Sequence, residues 1–318
     1  MRAVAEPRRI LITGSSGFVG RHLLPLLNAS FPGVQIFTNR MDVTNRDDVI
    51  QVVRDARPDA CIHLAAISSV PAARRDPEST WRVNLHGTLN VAQVVLEYAP
   101  GCHLLFASSA EIYGGSFREG RPLDESALLA PMNTYAASKA AADLALGSMA
   151  SEGLRVVRLR LFNHTGPGQS EAFVVPAFAR QIARIEAGLQ PPRIHVGALD
   201  SRRDFLDVRD VGSAYVACLR VAPELLPGTI VNIASGIPRR IGNILDELMD
   251  IAGVHPEIVT DEARLRSSEI ISASGDTARA GQLLGWTPET PWTQTLGAVL
   301  ADWRKLTADD AALPESGP

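Results

Sequence analysis

Cysteine is nearly absent from this chain. Three residues in 318, Cys61, Cys102 and Cys218, are scattered through apolar segments, with no CxxC pair and no Cys/His cluster. That spacing argues against a disulfide scaffold or a zinc site; it predicts buried, reduced thiols in a cytoplasmic protein with no metal. Long apolar runs are missing too: none approaches ~18 uninterrupted residues, so no membrane-spanning helix is expected. The opening stretch, Met1 to Arg8, is polar and leads directly into a strand, which predicts no signal peptide. Nor does charge of one sign dominate. The 31 basic and 35 acidic residues leave a net −4, which argues against a general grip on nucleic acid or anionic lipid. Repeats and low-complexity tracts are lacking. What remains is a chain 46% hydrophobic, long enough to bury a core as one large domain or two smaller ones.

Through the first half, short apolar runs alternate with helical patterns, the order of parallel βαβ units. Strands are predicted at Arg9–Thr13, Val34–Thr38, Ala60–Leu64, His103–Ala107 and Arg155–Leu161, nearly continuous in apolar character, as strands covered on both faces should be. Helices are predicted over Arg21–Asn28, Arg46–Ala56, Pro77–Tyr98 and Tyr135–Ser151, and Thr229–Ile233 adds a late strand. From Asn163 onward Gly and Pro punctuate the chain and short helices replace the alternation. The pattern predicts an α/β protein with a doubly wound parallel sheet, residues 1–162 plus about 206–236. A smaller, discontinuous α/β cap is expected from about 163–205 plus 237–305, and the small, acidic tail 306–318 is expected to fray.

Gly14-Ser15-Ser16-Gly17-Phe18-Val19-Gly20 follows the first strand and opens a helix. The first glycine permits a tight turn, the second lets backbone approach a pyrophosphate, and the third lets helix and strand pack closely. The helix N-terminus then turns unpaired N–H groups toward the phosphates, which makes Gly14, Ser16, Gly17, Phe18, Val19 and Gly20 the first cofactor candidates. A lone loop of this kind is a weak signal, shared with plain strand–helix turns. Here strand, loop, helix and the next βα unit all fall in place.

The acid that binds the adenine-side ribose usually ends the second strand. Thr38-Asn39-Arg40 stands there instead, with no carboxylate before Asp42. An arginine pairs with a 2′-phosphate, which favours NADP(H), with NAD(H) as the alternative if Arg40 is only a solvated loop charge. Asp42-Val43 suits the adenine edge. Leu64-Ala65-Ala66 and Leu161 end strands along which the dinucleotide would lie, and Asn84 is expected either to anchor this region or to cap a local backbone group.

Tyr135 and Lys139 stand four residues apart on a helix, so both project from one face. An ammonium beside a phenol is expected to lower the tyrosine pKa. Ser108-Ser109, upstream at the end of the fourth strand, offers a hydroxyl to a substrate carbonyl. A YxxxK pair alone is usually a solvated helix face; Ser, Tyr and Lys in this order behind a dinucleotide loop form a strong composite.

GSSGFVG, HLAA, SSAEIYG and YAASK together resemble the extended short-chain dehydrogenase/reductase superfamily of sugar-nucleotide enzymes, over nearly the whole chain. The resemblance implies a Rossmann-type fold and places the family's catalytic Ser/Thr on Ser109, its acid/base on Tyr135 and its lysine on Lys139. Ser108 falls one step off. Phe162 to Gln169, Phe173-Val174-Val175-Pro176 and Arg203-Asp204-Phe205 resemble the GDP-4-keto-6-deoxy-mannose reductase branch. That likeness implies sugar and diphosphate contacts from Asn163, Val174, Val175 and Arg203, and nucleotide contacts from Arg266 and Glu269, although Ser267 replaces the usual proline between them. A diphosphate calls for arginine forks in a chain of net negative charge.

The resemblance therefore implies reduction of the C4 ketone of a GDP-linked 4-keto-6-deoxy-hexose. Glu111 keeps a 4,6-dehydratase open, since the related GDP-mannose dehydratases use a glutamate at the matching position; it also fits a plain loop hydrogen bond. Against dehydration stands NHTGPGQ, which differs from the charged run of those enzymes. The GDP-fucose branch needs a cysteine beside the catalytic serine, where Ala110 stands. A nucleotide-sugar 4-epimerase and a non-catalytic NADP sensor are the further alternatives, and fold analogy implies a homodimer through Pro77–Tyr98 and Tyr135–Ser151.

Overall fold

A computed structural model of the protein describes residues 6–261 and 270–312. The first strand, β1 (Arg9–Thr13), buries Ile10, Leu11 and Ile12 almost completely, as a strand covered on both faces must. Behind it come α1 (Phe18–Ser30), β2 (Gln35–Phe37), α2 (Arg46–Ala56), β3 (Ala60–His63), α3 (Val70–Arg75) and α4 (Pro77–Trp81). A π-helical stretch, Arg82–Gly87, joins α4 to α5 (Thr88–Tyr98), so the helix expected over Pro77–Tyr98 is one run with a widened turn inside it. Then follow β4 (His103–Ser109), a 3₁₀ stretch (Ala110–Glu119), α6 (Thr134–Ser151) and β5 (Val156–Leu161).

The second half contributes β6 (Asn163–Thr165), α7 (Val174–Glu186), β7 (Arg193–Val196), β8 (Arg202–Asp207), α8 (Val208–Val221) and β9 (Thr229–Ile233). It ends with β10 (Pro238–Arg240), α9 (Ile241–Ala252), β11 (Glu257–Thr260), β12 (Ser272–Ala273), α10 (Ala278–Leu284) and α11 (Trp292–Ala312). The main sheet is parallel throughout, in the order β2-β1-β3-β4-β5-β9. Helices α1, α8 and α10 cover one face with Leu23, Leu27, Val211, Tyr215 and Leu284. Helices α2, α5 and α6 cover the other with Val49, Val53, Val91, Val94 and Leu146. The chain leaves β1 toward β2 on one side and reaches β3 on the other, so the order reverses between β1 and β3. Ligands of such sheets bind at that reversal, beyond the carboxyl ends of the strands.

A second core gathers α7, α9 and α11 around Phe178, Ile182, Leu245 and Leu296. A small sheet, β10-β8-β12 with β6 beside β8, runs next to it. Two expectations need correction. Residues 278–286 were expected in the cap, yet Ala280, Leu284 and Trp286 pack into the main-sheet core, because their apolar side chains complete the face laid down by α8. The tail expected to fray from 306 is helical to Ala312. Its Leu and Ala favour helix and Thr307 is buried; residues 313–318 lie outside the described residues.

Candidate active site

The glycine loop sits at the reversal between β1 and β3. Gly14 has φ +69°, and a Cβ there would lie 2.7 Å from the Ala65 amide nitrogen; only glycine lets the ends of β1 and β3 come this close. At Gly20 a Cβ would run into the Ser15 carbonyl of the loop rather than into the strand. Gly17 is the N-cap of α1 and offers no capping side chain, so the amides of Phe18, Val19 and Gly20 have no acceptor from a capping side chain and can meet an anion. Ser16 and Gly17 are exposed at the loop tip, and Asn39 and Arg40 are exposed just beyond β2. Asp42 accepts from the Thr44 amide at 2.9 Å and the Thr44 hydroxyl at 2.7 Å, which holds its carboxyl below the ordinary range. These features fit a dinucleotide with its phosphates on α1.

Hydroxyls and one histidine lock the strand ends beneath this cradle. His63 is buried and its pKa is depressed to about 3, first by burial and then by the Lys139 charge, so it is neutral. Thr88 Oγ1 donates to the Asn84 carbonyl at 2.7 Å and therefore accepts from His63 Nε2 at 3.0 Å. That leaves His63 Nδ1 to accept from Thr13 Oγ1 at 2.7 Å, whose oxygen in turn takes the Ala65 amide. Asn84, expected among the cofactor contacts, is fully buried. Its Oδ1 accepts from the Ile67 amide, and its Nδ2 donates to the Ile67 carbonyl and to Ser138 Oγ. All its amide atoms are engaged inside the protein, so it anchors the segment after β3 instead of touching a ligand. Val43 and Leu161 are largely buried beside the cradle, and Leu64, Ala65 and Ala66 line it half-buried.

Asn133 caps α6 by accepting from the Ala136 amide at 2.8 Å, which fixes Tyr135 in the first turn and Lys139 one turn on. Ser109 ends β4 with its hydroxyl near enough to the Tyr135 phenol to bear on that group's pKa, and it accepts from the Glu111 amide at 3.2 Å. Its neighbour Ser108 points the other way, donating to buried Asp143 at 2.6 Å. Alternation along the strand thus separates the two serines. Glu111 is exposed; Asn133 Nδ2 donates to its Oε2 at 3.5 Å, and its charge bears on both Tyr135 and Arg203.

The expected lowering of Tyr135 by Lys139 is not found. Burial pushes the phenol up to about 12, the Ser109 hydroxyl opposes this, and Glu111 adds to it. The Lys139 ammonium lies instead over the Phe106 ring at 4.2 Å, and burial brings it down to about 7 against the pull of Asp143. In the ligand-free chain the phenol is therefore a proton-bearing acid at neutral pH. That state suits a group that gives a proton away.

On the cap side, Arg203 of β8 is half-buried, and its Nη1 donates to the Arg202 carbonyl at 2.7 Å. Desolvation lowers its pKa and Glu111 opposes. Asn163 heads β6, paired with Phe205. Val174 opens α7 half-buried, and Val175 is 1% exposed in the cap core, with its backbone amide in the first turn of the helix. Arg266 and Glu269 lie outside the described residues. Sequence reasoning missed the clamp on the NHTGPGQ loop. His22 Nε2 lies 2.8 Å from the Pro167 carbonyl, Arg21 donates to the Gly168 carbonyl at 2.9 Å, and the Gly168 amide donates to Asp302 at 2.7 Å. His164 stacks parallel to Phe18 at 6.0 Å. Thiols stay out of the site: all three cysteines are free and buried, with Cys61 pushed up to about 12 by burial.

A dinucleotide-dependent enzyme is the class that this fold and these groups define, and the chain belongs to the NAD dependent epimerase/dehydratase family, which residues 10–234 match. Its relatives narrow the class. GDP-6-deoxy-D-mannose reductase from Pseudomonas aeruginosa is 40% identical over 306 residues, covering 95% of this chain and 99% of the relative. GDP-6-deoxy-D-talose 4-dehydrogenase from Aggregatibacter actinomycetemcomitans is 31% identical over 87% of this chain and 91% of its own. The solved structure of RMD from Pseudomonas aeruginosa complexed with NADPH superposes with a TM-score of 0.86 at 39% identity, covering 94% of this chain and 99% of that one.

Proposed function

We propose that this protein reduces the C4 ketone of a GDP-linked 4-keto-6-deoxy-hexose, with NADPH as the favoured cofactor and NADH as the alternative. The observation that carries the reading is that the end of β4 and the first turn of α6 bring Ser109 beside Tyr135, with the phenol held protonated. When bound, NADPH supplies the hydride. Tyr135 gives its proton to the developing alkoxide, and the Ser109 hydroxyl polarises the carbonyl. Lys139, one turn along α6 from Tyr135, holds the nicotinamide-side ribose. The α1 amides hold the pyrophosphate, and Arg40 takes the 2′-phosphate. Arg203 and the first turn of α7 meet the substrate diphosphate, while Glu111 is a hydrogen-bonding group of the cleft rather than a base. The 40% identity to the mannose-series reductase supports the GDP sugar.

The main-sheet and cap division given above is part of this reading, as is a homodimer through Pro77–Tyr98 and Tyr135–Ser151, supported by Leu144, 59% exposed on α6. Three free, buried thiols support a cytoplasmic setting. Among the described residues no helix is long and apolar enough to cross a membrane. The test is stoichiometric. Purified protein given GDP-4-keto-6-deoxy-mannose should oxidise one NADPH per ketone and leave GDP-mannose untouched. Conversion of GDP-mannose to a keto sugar without net cofactor use would overturn the reading in favour of a dehydratase.

A further inference from the structure

Behind the catalytic face lies a buried ionic cluster that the reduction does not itself touch. Helix α6 sets Tyr135, Lys139 and Asp143 at successive four-residue steps, along one stripe. Asp143 is fully buried. Its carboxylate accepts from Ser108 Oγ on β4 at 2.6 Å, and from Arg158 Nη1 and Arg160 Nη2 on β5 at 3.0 and 3.1 Å. The arginines continue outward. Arg158 donates to the Gly228 carbonyl at 2.7 Å, and Arg160 to the Tyr113 hydroxyl and the Glu125 carbonyl, both at 3.0 Å. Gly147, one turn beyond Asp143, leaves room for this: a Cβ there would lie 2.7 Å from Arg158 Nη1.

Buried ions are costly and are no general source of stability, which asks what this cluster provides. Lys139 is its neighbour and is 3% exposed. The carboxylate that bears on its ammonium is Asp143. Each element packed around it offers little else of negative charge. His63 on β3 is neutral, Phe106 and Ser108 on β4 carry no charge, and β5 presents Arg158 and Arg160, both bound to Asp143. The 3₁₀ stretch brings Tyr113 and exposed Glu111, the π turn brings the Asn84 amide, and the charged residues of α3 and α4 are exposed. We propose, on the reductase reading above, that Asp143 is a positioning residue for the proton transfer: pinned by Ser108, Arg158 and Arg160, it holds the Tyr135–Lys139 face of α6 against β4 and keeps Lys139 a cation during turnover.

The two arginines screen Asp143, so the sign of the effect depends on which partner is removed. Asp143→Asn takes away the opposing charge and should bring the Lys139 midpoint down by about one pH unit or more. Arg158→Gln takes away a screening cation and should move it up. Asp143→Glu keeps the charge and should restore the original midpoint. The chain has two lysines, Lys139 and exposed Lys305, so lysine labelled with ¹³C at Cε gives two signals in the ligand-free, full-length protein. Titration by NMR should place Lys139 near about 7 in the natural sequence. Shifts of opposite sign in Asp143→Asn and Arg158→Gln support the proposal; if Asp143→Asn fails to fold, the upward shift in Arg158→Gln carries the test alone. No shift, or shifts of the same sign with only the melting temperature lowered, would overturn it. Because this titration needs no substrate, a failed reductase assay counts against the functional reading and not against Asp143.

Discussion

The seam between β4 and α6 has two sides built from the same kinds of group. On the cleft side stand Ser109, Tyr135 and Glu111; on the buried side stand Ser108, Asp143, Arg158 and Arg160. Each side has hydroxyls, a carboxylate and hydrogen bonds of 2.6–3.5 Å. The difference lies in how many of those bonds are used up. The Asp143 carboxylate is fully buried and takes four of them. Glu111, exposed to solvent, accepts one long bond from Asn133, and Ser109 stands at 7% exposure with Tyr135 beside it. Saturated groups fix geometry; groups with bonding capacity left over can meet a substrate. Residue type alone does not separate the two roles.

Substitutions on the two sides should therefore fail in different ways. Tyr135→Phe keeps the ring and removes the proton, so turnover should fall ~10²–10⁴-fold while dinucleotide affinity and melting temperature stay close to the starting values. Ser109→Ala should lower kcat by about 10²–10³, as loss of a carbonyl-polarising donor does, with the melting temperature kept. Ser108→Ala should do the reverse, costing stability by about 1.5–3 kcal/mol in denaturant unfolding, the worth of a bond to a charge, and slowing turnover far less. If both serines affected kcat equally, the two-sided account would fail. Away from the seam, Arg40→Ala should weaken NADPH binding by roughly 1.5–3 kcal/mol and leave NADH nearly unchanged, measured by fluorescence titration. Equal weakening of both would make Arg40 a plain loop charge.

A pH effect sharpens the same contrast. His63 is saturated and neutral, with a pKa of about 3 against 6.5 for the ordinary side chain. Between those values the unfolded chain takes up a proton that the folded chain refuses. Its contribution is complete above pH 6.5 and is lost as pH falls toward about 3. His63→Gln should flatten the dependence of melting temperature on pH in that window.

Much of the sheet region was legible because its signals are local. Continuous apolar runs marked β1, β3, β4 and β5, and the glycine loop and the four-residue Tyr135–Lys139 step lie within single elements. What sequence could not show depends on contacts between distant segments. Ser108 and Ser109 differ only in the face that strand alternation gives them, and Asn84 meets Ile67 and Ser138 through the fold. Arg158 and Arg160 did leave a trace, since two charges spaced by two in an apolar strand imply a buried partner, but Asp143 on another element identifies it. The pKa expectation for Tyr135 failed for a related reason. Helix spacing placed Lys139 on the same face, yet burial and the Phe106 ring decide where its charge sits. In the cap, Ala280 and Trp286 belong to the opposite core because the chain crosses back, which a linear division does not reveal.

The central claim is hydride delivery to C4 with the proton from Tyr135, and isotope transfer tests it most directly. NADPH carrying deuterium at the transferring C4 position of the nicotinamide should be supplied together with GDP-4-keto-6-deoxy-mannose. Mass spectrometry and NMR of the product should find one deuterium, bonded to sugar C4, and two added hydrogens in all. The configuration at that carbon then distinguishes the rhamno from the talo sugar. A product without deuterium, or GDP-mannose losing one water while NADPH stays unspent, would contradict the account.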